Sequence, residues 1–109
     1  NLILYGPSMN KWKGLSESNG VRYLSEVFSD RNYNDDLSLV DRKLKDAMIT
    51  DPSLSLKHLN SMINLGKVKT ISGKLEDIEL ETICIHGDQP NALLFAKTIY
   101  NKLNSKGLI

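Results

Sequence analysis

The sequence predicts an α/β protein built on a parallel sheet, and three observations support this class. An apolar run at residues 82–85 ends abruptly at a His-Gly-Asp turn and passes into an amphipathic stretch at residues 91–103. A second apolar run, at residues 2–5, ends in a Gly-Pro-Ser turn. A helix start lies at Asp51-Pro52, where the aspartate can cap free amides and the proline needs no donor. Alternation of buried strands with helices is typical of a parallel sheet.

The other elements of the first half follow from similar local signals. Residues 16–20 predict a short helix, with Ser16 as a possible cap and Gly20 as its left-handed stop. Residues 21–28 predict the next strand, which ends in a charged Ser-Asp-Arg turn. Residues 32–50 show no clear periodicity. A stretch of this length is more often a functional covering loop than a plain connector, so we expect such a loop here.

The second half contains a helix, a hairpin and the final strand and helix. The helix that starts at Asp51 has apolar residues at helical spacing and stops at Gly66. Residues 67–80 predict a β-hairpin with Ser72-Gly73 as its turn. In the last strand, alternate side chains point to opposite faces, and both faces are expected to be buried. Pro90 suits the first turn of the final helix.

Composition and charge exclude several classes of protein. Fourteen Lys and Arg residues against 13 Asp and Glu leave a net charge of +1, scattered along the chain, so neither nucleic acid nor a membrane surface is an expected partner. The single cysteine, Cys84, cannot form an internal disulfide, which fits a cytoplasmic protein. His58 and His86 are too widely separated for a zinc pattern, so no metal is expected, and His58 is expected to be a surface or boundary residue.

The first candidate site is the turn at residues 86–88. There His86 and Asp88 flank a glycine at a strand end, beside the free amides of a helix amino terminus. Such groups can polarise a carbonyl oxygen, bind an anion or transfer a proton near neutral pH. The alternative, which the residues alone favour, is that Asp88 only caps the helix and His86 bonds a neighbouring loop.

The second candidate group follows the strand at residues 21–28. Asp30 and Arg31 come just past its end, and Glu26 lies within it, so we expect them at the same rim of the sheet as His86. A guanidinium there can hold a carboxylate or phosphate in two-point contact, and Arg42 is a weaker candidate for the same role. The alternative is a solvated surface ion pair.

Three separated motifs resemble the LamB/YcsF family in order and spacing. They are Glu-Val-Phe-Ser-Asp-Arg-x-Tyr at residues 26–33, Leu-Val-x-Arg at residues 39–42 and Ile-Cys-Ile-His-Gly-Asp-x-Pro at residues 83–90. The resemblance covers nearly the whole chain. It departs from the family pattern at Ser29, which replaces an alanine, and at Leu37 and Asp46, which stand where glycines are common in the covering loop.

The resemblance implies a fold and an activity. Residues 1–109 would be the carboxyl-terminal part of one irregular seven-stranded β/α barrel of the glycoside hydrolase and deacetylase type. The implied reaction is ATP-coupled ring opening of 5-oxo-L-proline to L-glutamate, with 5-oxoprolinase subunits B and C as partners. His86, Asp88 and Asp30 would be catalytic. The residues Arg31, Glu26 and Arg42 would bind substrate, with Arg31 holding a carboxylate or phosphate.

Two alternatives stay open at the level of the sequence. The chain can be a non-catalytic remnant or interaction fragment of such a barrel, which would self-associate because its strand edges and one apolar face are uncovered. A deacetylase-like hydrolase is the other alternative, and it depends on shared fold alone. If the chain is instead part of a multi-subunit 5-oxoprolinase, as the resemblance implies, the isolated 109-residue chain is expected to be inactive.

Overall fold

The computed structural model describes residues 1–109 and contains five strands and three helices. In order, the elements are β1 (Ile3–Pro7), α1 (Trp12–Ser18), β2 (Arg22–Phe28), α2 (Pro52–Leu65), β3 (Lys67–Lys69), β4 (Leu75–Asp77), β5 (Thr82–Cys84) and α3 (Ala92–Ser105).

β2 is the central strand of a three-stranded parallel sheet with the order β1-β2-β5. Pro7 pairs with Glu26, and Glu26 pairs in turn with Thr82. All three strands therefore run the same way, and their carboxyl ends lie at one edge of the sheet. The α/β class with a parallel sheet is confirmed.

One face of the sheet packs against the helices. Along β2, Tyr23 and Val27 are buried, whereas Leu24 and Phe28 on the other face are only half-buried, as the two-residue period of a strand requires. The buried core cluster joins β2 to both long helices and to the hairpin. Its members are Val27, Tyr33, Leu59, Met62, Val68, Ile78 and Ile99.

β5 does not have two buried faces, and that prediction is wrong. Ile83 and Ile85 pack against the core, but every residue of the strand is half-buried. Cys84 lies on the opposite face, where partial burial raises the pKa of its thiol. The physical reason is that helices cover only one side of this sheet.

α2 confirms the helix predicted from its two end signals. The Asp51 carboxylate accepts a hydrogen bond from the Ser53 amide at 2.8 Å, and Pro52 is the first helical residue. Gly66 ends the helix with φ 62°, a left-handed conformation that costs glycine little. β3 and β4 then form the predicted antiparallel hairpin.

Two helix starts differ from prediction. α1 begins at Trp12, so Ser16 is a residue of the helix and not its cap. The Ser16 hydroxyl donates to the Val21 carbonyl at 2.8 Å. α3 begins at Ala92, and Pro90 precedes it. The Ala92 amide donates to the Gln89 carbonyl at 3.2 Å, which places Pro90 at the second position of a turn that favours proline.

The covering loop, residues 32–50, contains no helix and only two isolated bridges, Arg31 with Met48 and Tyr33 with Leu39. Leu37 and Asp46 have φ values of 67° and 65°. A left-handed backbone at both positions is one that glycine adopts at little cost, which fits the glycines that the family resemblance leads us to expect there. None of the three helices is long and apolar enough to cross a membrane.

Candidate active site

Asp30 and His86 form a hydrogen-bonded pair at the carboxyl edge of the sheet. Asp30 follows β2 and His86 follows β5, and the two strands are neighbours. The Nδ1 atom of His86 lies 2.9 Å from Oδ1 and 3.0 Å from Oδ2 of Asp30. The Asp30 side chain is 0% exposed, while the His86 side chain is 21% exposed. One member of the pair is therefore buried and the other is open to solvent.

This arrangement defines the chemistry available to His86. An ionised carboxylate only accepts hydrogen bonds, so the imidazole donates through Nδ1. That bond determines the tautomer and leaves Nε2, which has no protein partner, as the basic nitrogen. The carboxylate also stabilises the imidazolium that forms when Nε2 takes a proton. The pair can therefore act as a general base or acid at the open edge of the sheet.

Phe28 holds the plane of the imidazole. Its ring lies parallel to that of His86, with an interplanar angle of 7° and 5.4 Å between centroids. The Phe28 amide donates to the Tyr33 hydroxyl at 2.9 Å. Tyr33 is buried, and burial raises its pKa to about 12, so this phenol stays protonated at neutral pH.

Gln89 is a third member of the site that sequence reasoning missed. Its Nε2 donates to Oδ2 of Asp30 at 3.0 Å. Gln89 occupies the variable position of the His-Gly-Asp-x-Pro motif, so the motif itself does not single it out. Its place one turn before α3, next to a polar strand end, is the only signal that points to it.

The backbone around Asp30 is anchored from three sides. The Ile49 amide of the covering loop donates to the Asp30 carbonyl at 2.8 Å. The Ser55 hydroxyl of α2 donates to the Ser29 carbonyl at 2.6 Å, and the Ser29 hydroxyl donates to the Cys84 carbonyl at 3.3 Å. Ser29 therefore links β2 to β5 immediately beside the Asp30–His86 pair.

Arg31 does not reach the rim that His86 occupies, so its predicted position is wrong. It is 5% exposed, and its guanidinium donates to the Val40 carbonyl at 2.7 Å beneath the covering loop. Successive residues of an extended chain point in opposite directions, which separates Arg31 from Asp30. Arg42 is exposed and makes no side-chain hydrogen bond, and the substrate-binding roles of both arginines stay predictions.

Asp88 is exposed and makes no side-chain hydrogen bond in the structure. It makes no hydrogen bond with Asp30 or with the amino terminus of α3, whose N-cap residue is Asn91 and which has no side-chain cap. The capping alternative for Asp88 is therefore not observed. Its predicted catalytic role stays a prediction.

A cavity of about 450 Å³ lies between the turn after β1, β2 and the covering loop, and neither Asp30 nor His86 lines it. Glu26 and Phe28 contribute to its wall, so Phe28 both stacks on His86 and borders the cavity. Met9 and Leu37 also line it, and both have left-handed backbones, with φ 54° and 67°. Strained residues of this kind concentrate at functional sites.

A larger groove of about 800 Å³ lies elsewhere, between α2, α3 and β5. Its lining is almost wholly apolar, with Glu81 as its one charged residue, and it does not include Asp30 or His86. The smaller cavity is not lined by this pair either, but it is bordered by Phe28, which stacks on His86, so it is the candidate pocket for a ligand of this site. No group of three or more His, Cys, Asp or Glu residues is placed to hold a metal ion.

His58 lies at the boundary of the core, as predicted. Its ring stacks on Tyr33 with 5.9 Å between centroids, and its Nε2 is buried without a partner. Burial lowers the pKa of this imidazole. His58 is therefore neutral at pH 7 and takes no part in the Asp30–His86 pair.

Fold and site together define an α/β protein with a carboxylate–imidazole pair at the carboxyl ends of neighbouring parallel strands. The chain belongs to the LamB/YcsF family, whose model matches residues 1–109. The resemblance seen in the sequence motifs is confirmed.

Several relatives are similar over nearly the whole chain. It is 42% identical over 106 residues to the 5-oxoprolinase A subunit of Campylobacter jejuni strain 81-176, which is 97% of this chain and 42% of the relative. It is 38% identical over 108 residues to the corresponding protein of Bordetella parapertussis, covering 99% of this chain and 43% of the relative. The chain thus spans less than half the length of these relatives.

A solved structure shares the fold. The crystal structure of a lactam utilization protein from Thermus thermophilus superposes with a TM-score of 0.85 at 26% identity. The match covers 98% of this chain and 42% of that one.

Proposed function

We propose that this chain is the carboxyl-terminal part of a 5-oxoprolinase A subunit, which opens 5-oxo-L-proline to L-glutamate with hydrolysis of ATP. The observation that carries the proposal is the Asp30–His86 pair, built from two family motifs at one sheet edge. The names of the relatives support it. On this proposal residues 1–109 belong to a seven-stranded barrel in the cytoplasm, with subunits B and C as partners.

Hydrolysis of a lactam requires two proton movements. Water adds to the carbonyl carbon and loses a proton, the ring C–N bond breaks, and the departing nitrogen gains a proton. Nε2 of His86 is the proposed acceptor of the first proton, because the other ring nitrogen, Nδ1, is hydrogen-bonded to Asp30. The same imidazolium can return the proton to the nitrogen, as a histidine with a buried carboxylate partner does in acyl transfer.

The cavity beside Phe28 is the proposed place for the lactam. The Glu26 carboxylate in its wall makes no hydrogen bond within the chain, so it is free to accept one from a ring N–H. Asn10 adds a second polar group to the same wall. Asp88, which is exposed and lies two residues beyond His86 in the chain, is proposed to polarise the attacking water.

ATP is proposed as the co-substrate of the assembled enzyme. The cavity wall contains no lysine or arginine, and Arg31 lies beneath the covering loop, so these residues do not fit a triphosphate. The residues of this chain are therefore given no role in binding or hydrolysing ATP.

The test uses the full-length protein in complex with its partner subunits. His86→Ala should lower oxoproline-dependent glutamate formation by roughly 10²–10⁴-fold, the range lost with a general base. Turnover by Asp30→Asn should also fall strongly. The asparagine amide oxygen can still accept a hydrogen bond from Nδ1 of His86, but without a negative charge it no longer stabilises the imidazolium. Glu17→Gln, on an exposed face of α1, is the matched control and should be fully active. Normal turnover by His86→Ala would remove His86 from the mechanism.

The second candidate function is a non-catalytic interaction fragment. Two observations favour it: β1 and β5 each pair only with β2, and Tyr5 on the open sheet face is 55% exposed. Sedimentation of the 109-residue chain tests this candidate, because an open sheet that serves as an interaction surface should self-associate. A stable, monodisperse monomer would argue against this candidate. The deacetylase alternative gains no support from the side chains around Asp30.

A further inference from the structure

We propose that Gln89 is a positioning residue of this site: its amide holds the Asp30 carboxylate in the form and orientation that make Nε2 of His86 the basic nitrogen. The functional consequence of this inference rests on the proposed function. Its structural part, the control of the His86 tautomer, is independent of that function.

The Asp30 carboxylate has only two side-chain partners. His86 Nδ1 lies 2.9 and 3.0 Å from its two oxygens, and Gln89 Nε2 lies 3.0 Å from Oδ2. The side chain is 0% exposed, so water does not replace a missing donor at the surface. A buried carboxylate is stable as an anion only when donors satisfy it, and Gln89 supplies one of the two.

The orientation of the Gln89 amide follows from the chemistry of its partner. A carboxylate accepts and cannot donate, so the NH₂ group rather than the carbonyl oxygen faces Asp30. The backbone of Gln89 is held as well, because its carbonyl accepts the Ala92 amide at 3.2 Å. The amide is therefore presented from a fixed turn at the start of α3.

Loss of the Gln89 donor changes where the protons lie on Asp30 and His86. With one N–H left for two buried oxygens, the neutral carboxylic acid becomes the better-satisfied form. The Nδ1 proton then moves along the hydrogen bond to Asp30 and Nε2 takes up one proton from solvent, so the neutral carboxylic acid donates a hydrogen bond to Nδ1 and the imidazole carries its proton on Nε2. In that tautomer Nε2 cannot accept a proton from water, so the base is lost although both side chains are present.

Nitrogen NMR of the histidine ring measures the tautomer directly. The protein is labelled with ¹⁵N-histidine, and the His86 signals are assigned by their loss in His86→Gln. We expect the Nδ1–H tautomer in the unaltered protein and a shift toward Nε2–H in Gln89→Leu. Asn91→Leu is the matched control in the same turn, since the Asn91 amide reaches only the Thr50 carbonyl at 3.4 Å. That variant should keep the Nδ1–H tautomer.

Gln89→Met provides a second variant, with an unbranched side chain of nearly equal length. It removes the donor without adding a carboxyl group that could share a proton with Asp30, so it should shift the tautomer as Gln89→Leu does. This keeps the test intact if the leucine variant does not fold. An unchanged His86 tautomer in a folded Gln89 variant overturns the inference.

Turnover by the assembled complex gives the second readout. Both Gln89 variants should lower kcat about 10- to 100-fold, the value of one hydrogen bond to a charged group, with little change in KM. A shifted tautomer together with normal turnover by His86→Gln would overturn the proposed function and leave the positioning role intact. A shifted tautomer with normal turnover by Gln89→Leu, while His86→Gln is inactive, would overturn the catalytic part of the inference.

Discussion

The ring of Tyr23 occupies the space that a side chain on Gly6 would need. Tyr23 is buried on β2, its ring lies against Gly6 of β1, and its hydroxyl donates to the Pro7 carbonyl at 2.7 Å. The Gly6 backbone is not left-handed, so glycine is required here by close approach rather than by its conformation. This contact brings β1 against β2 just below the turn that borders the candidate cavity.

Gly6→Ala is therefore expected to destabilise the fold. The added methyl group meets a buried aromatic ring that is tied by its own hydrogen bond, and overpacking of this kind costs about 1–3 kcal/mol. Thermal unfolding measures the change. Gly14→Ala is the matched control, because no atom lies within 4 Å of its added carbon and alanine favours the helix by about 1 kcal/mol. Equal stability of the two variants would contradict the close-approach explanation.

The two left-handed residues of the covering loop should respond to glycine with opposite signs. Asp46 is exposed, so Asp46→Gly relieves the left-handed backbone and should stabilise the protein by up to about 1 kcal/mol. Leu37→Gly gains the same relief but loses a side chain that packs against the core cluster, which is worth about 1.5–3 kcal/mol when fully buried. We expect a net loss for Leu37→Gly.

Denaturant unfolding of both variants checks this pair of predictions. Leu37→Asn, which tolerates the left-handed region, separates the loss of packing from the relief of the backbone. A stabilised Leu37→Gly protein would mean that packing of Leu37 contributes less than its backbone costs.

His58 should make stability depend on pH below neutrality. Burial lowers its pKa from the ordinary 6.5, so the unfolded chain binds a proton that the folded chain resists. Stability is therefore complete above the unfolded value, falls as pH drops through 6.5 and stops changing below the folded pKa. His58→Phe keeps the stack on Tyr33 and removes the titration. Urea midpoints at about pH 7 and about pH 5 should differ less in this variant. An identical pH difference in both proteins would exclude His58 as a source.

Local signals in the sequence were sufficient for much of the architecture. Asp51 and Gly66 define α2 because a cap and a left-handed stop act within one helical turn. The hairpin follows from a short turn between alternating residues. The start of α1 could not be predicted, because its N-cap residue, Lys11, makes no side-chain hydrogen bond to the helix. The sequence therefore carries no capping signal there.

By itself the sequence determined the family, the parallel α/β class and the candidacy of Asp30 and His86, because these depend on motifs and on strand ends. Only the tertiary structure decided which groups touch. In the structure His86 bonds Asp30 although the two residues are 56 positions apart, and Gln89 bonds the same carboxylate. Arg31 instead bonds the Val40 carbonyl beneath the covering loop. The physical reason is that such contacts depend on strand register and on the direction of each side chain, and neighbours in sequence point to opposite sides of an extended chain.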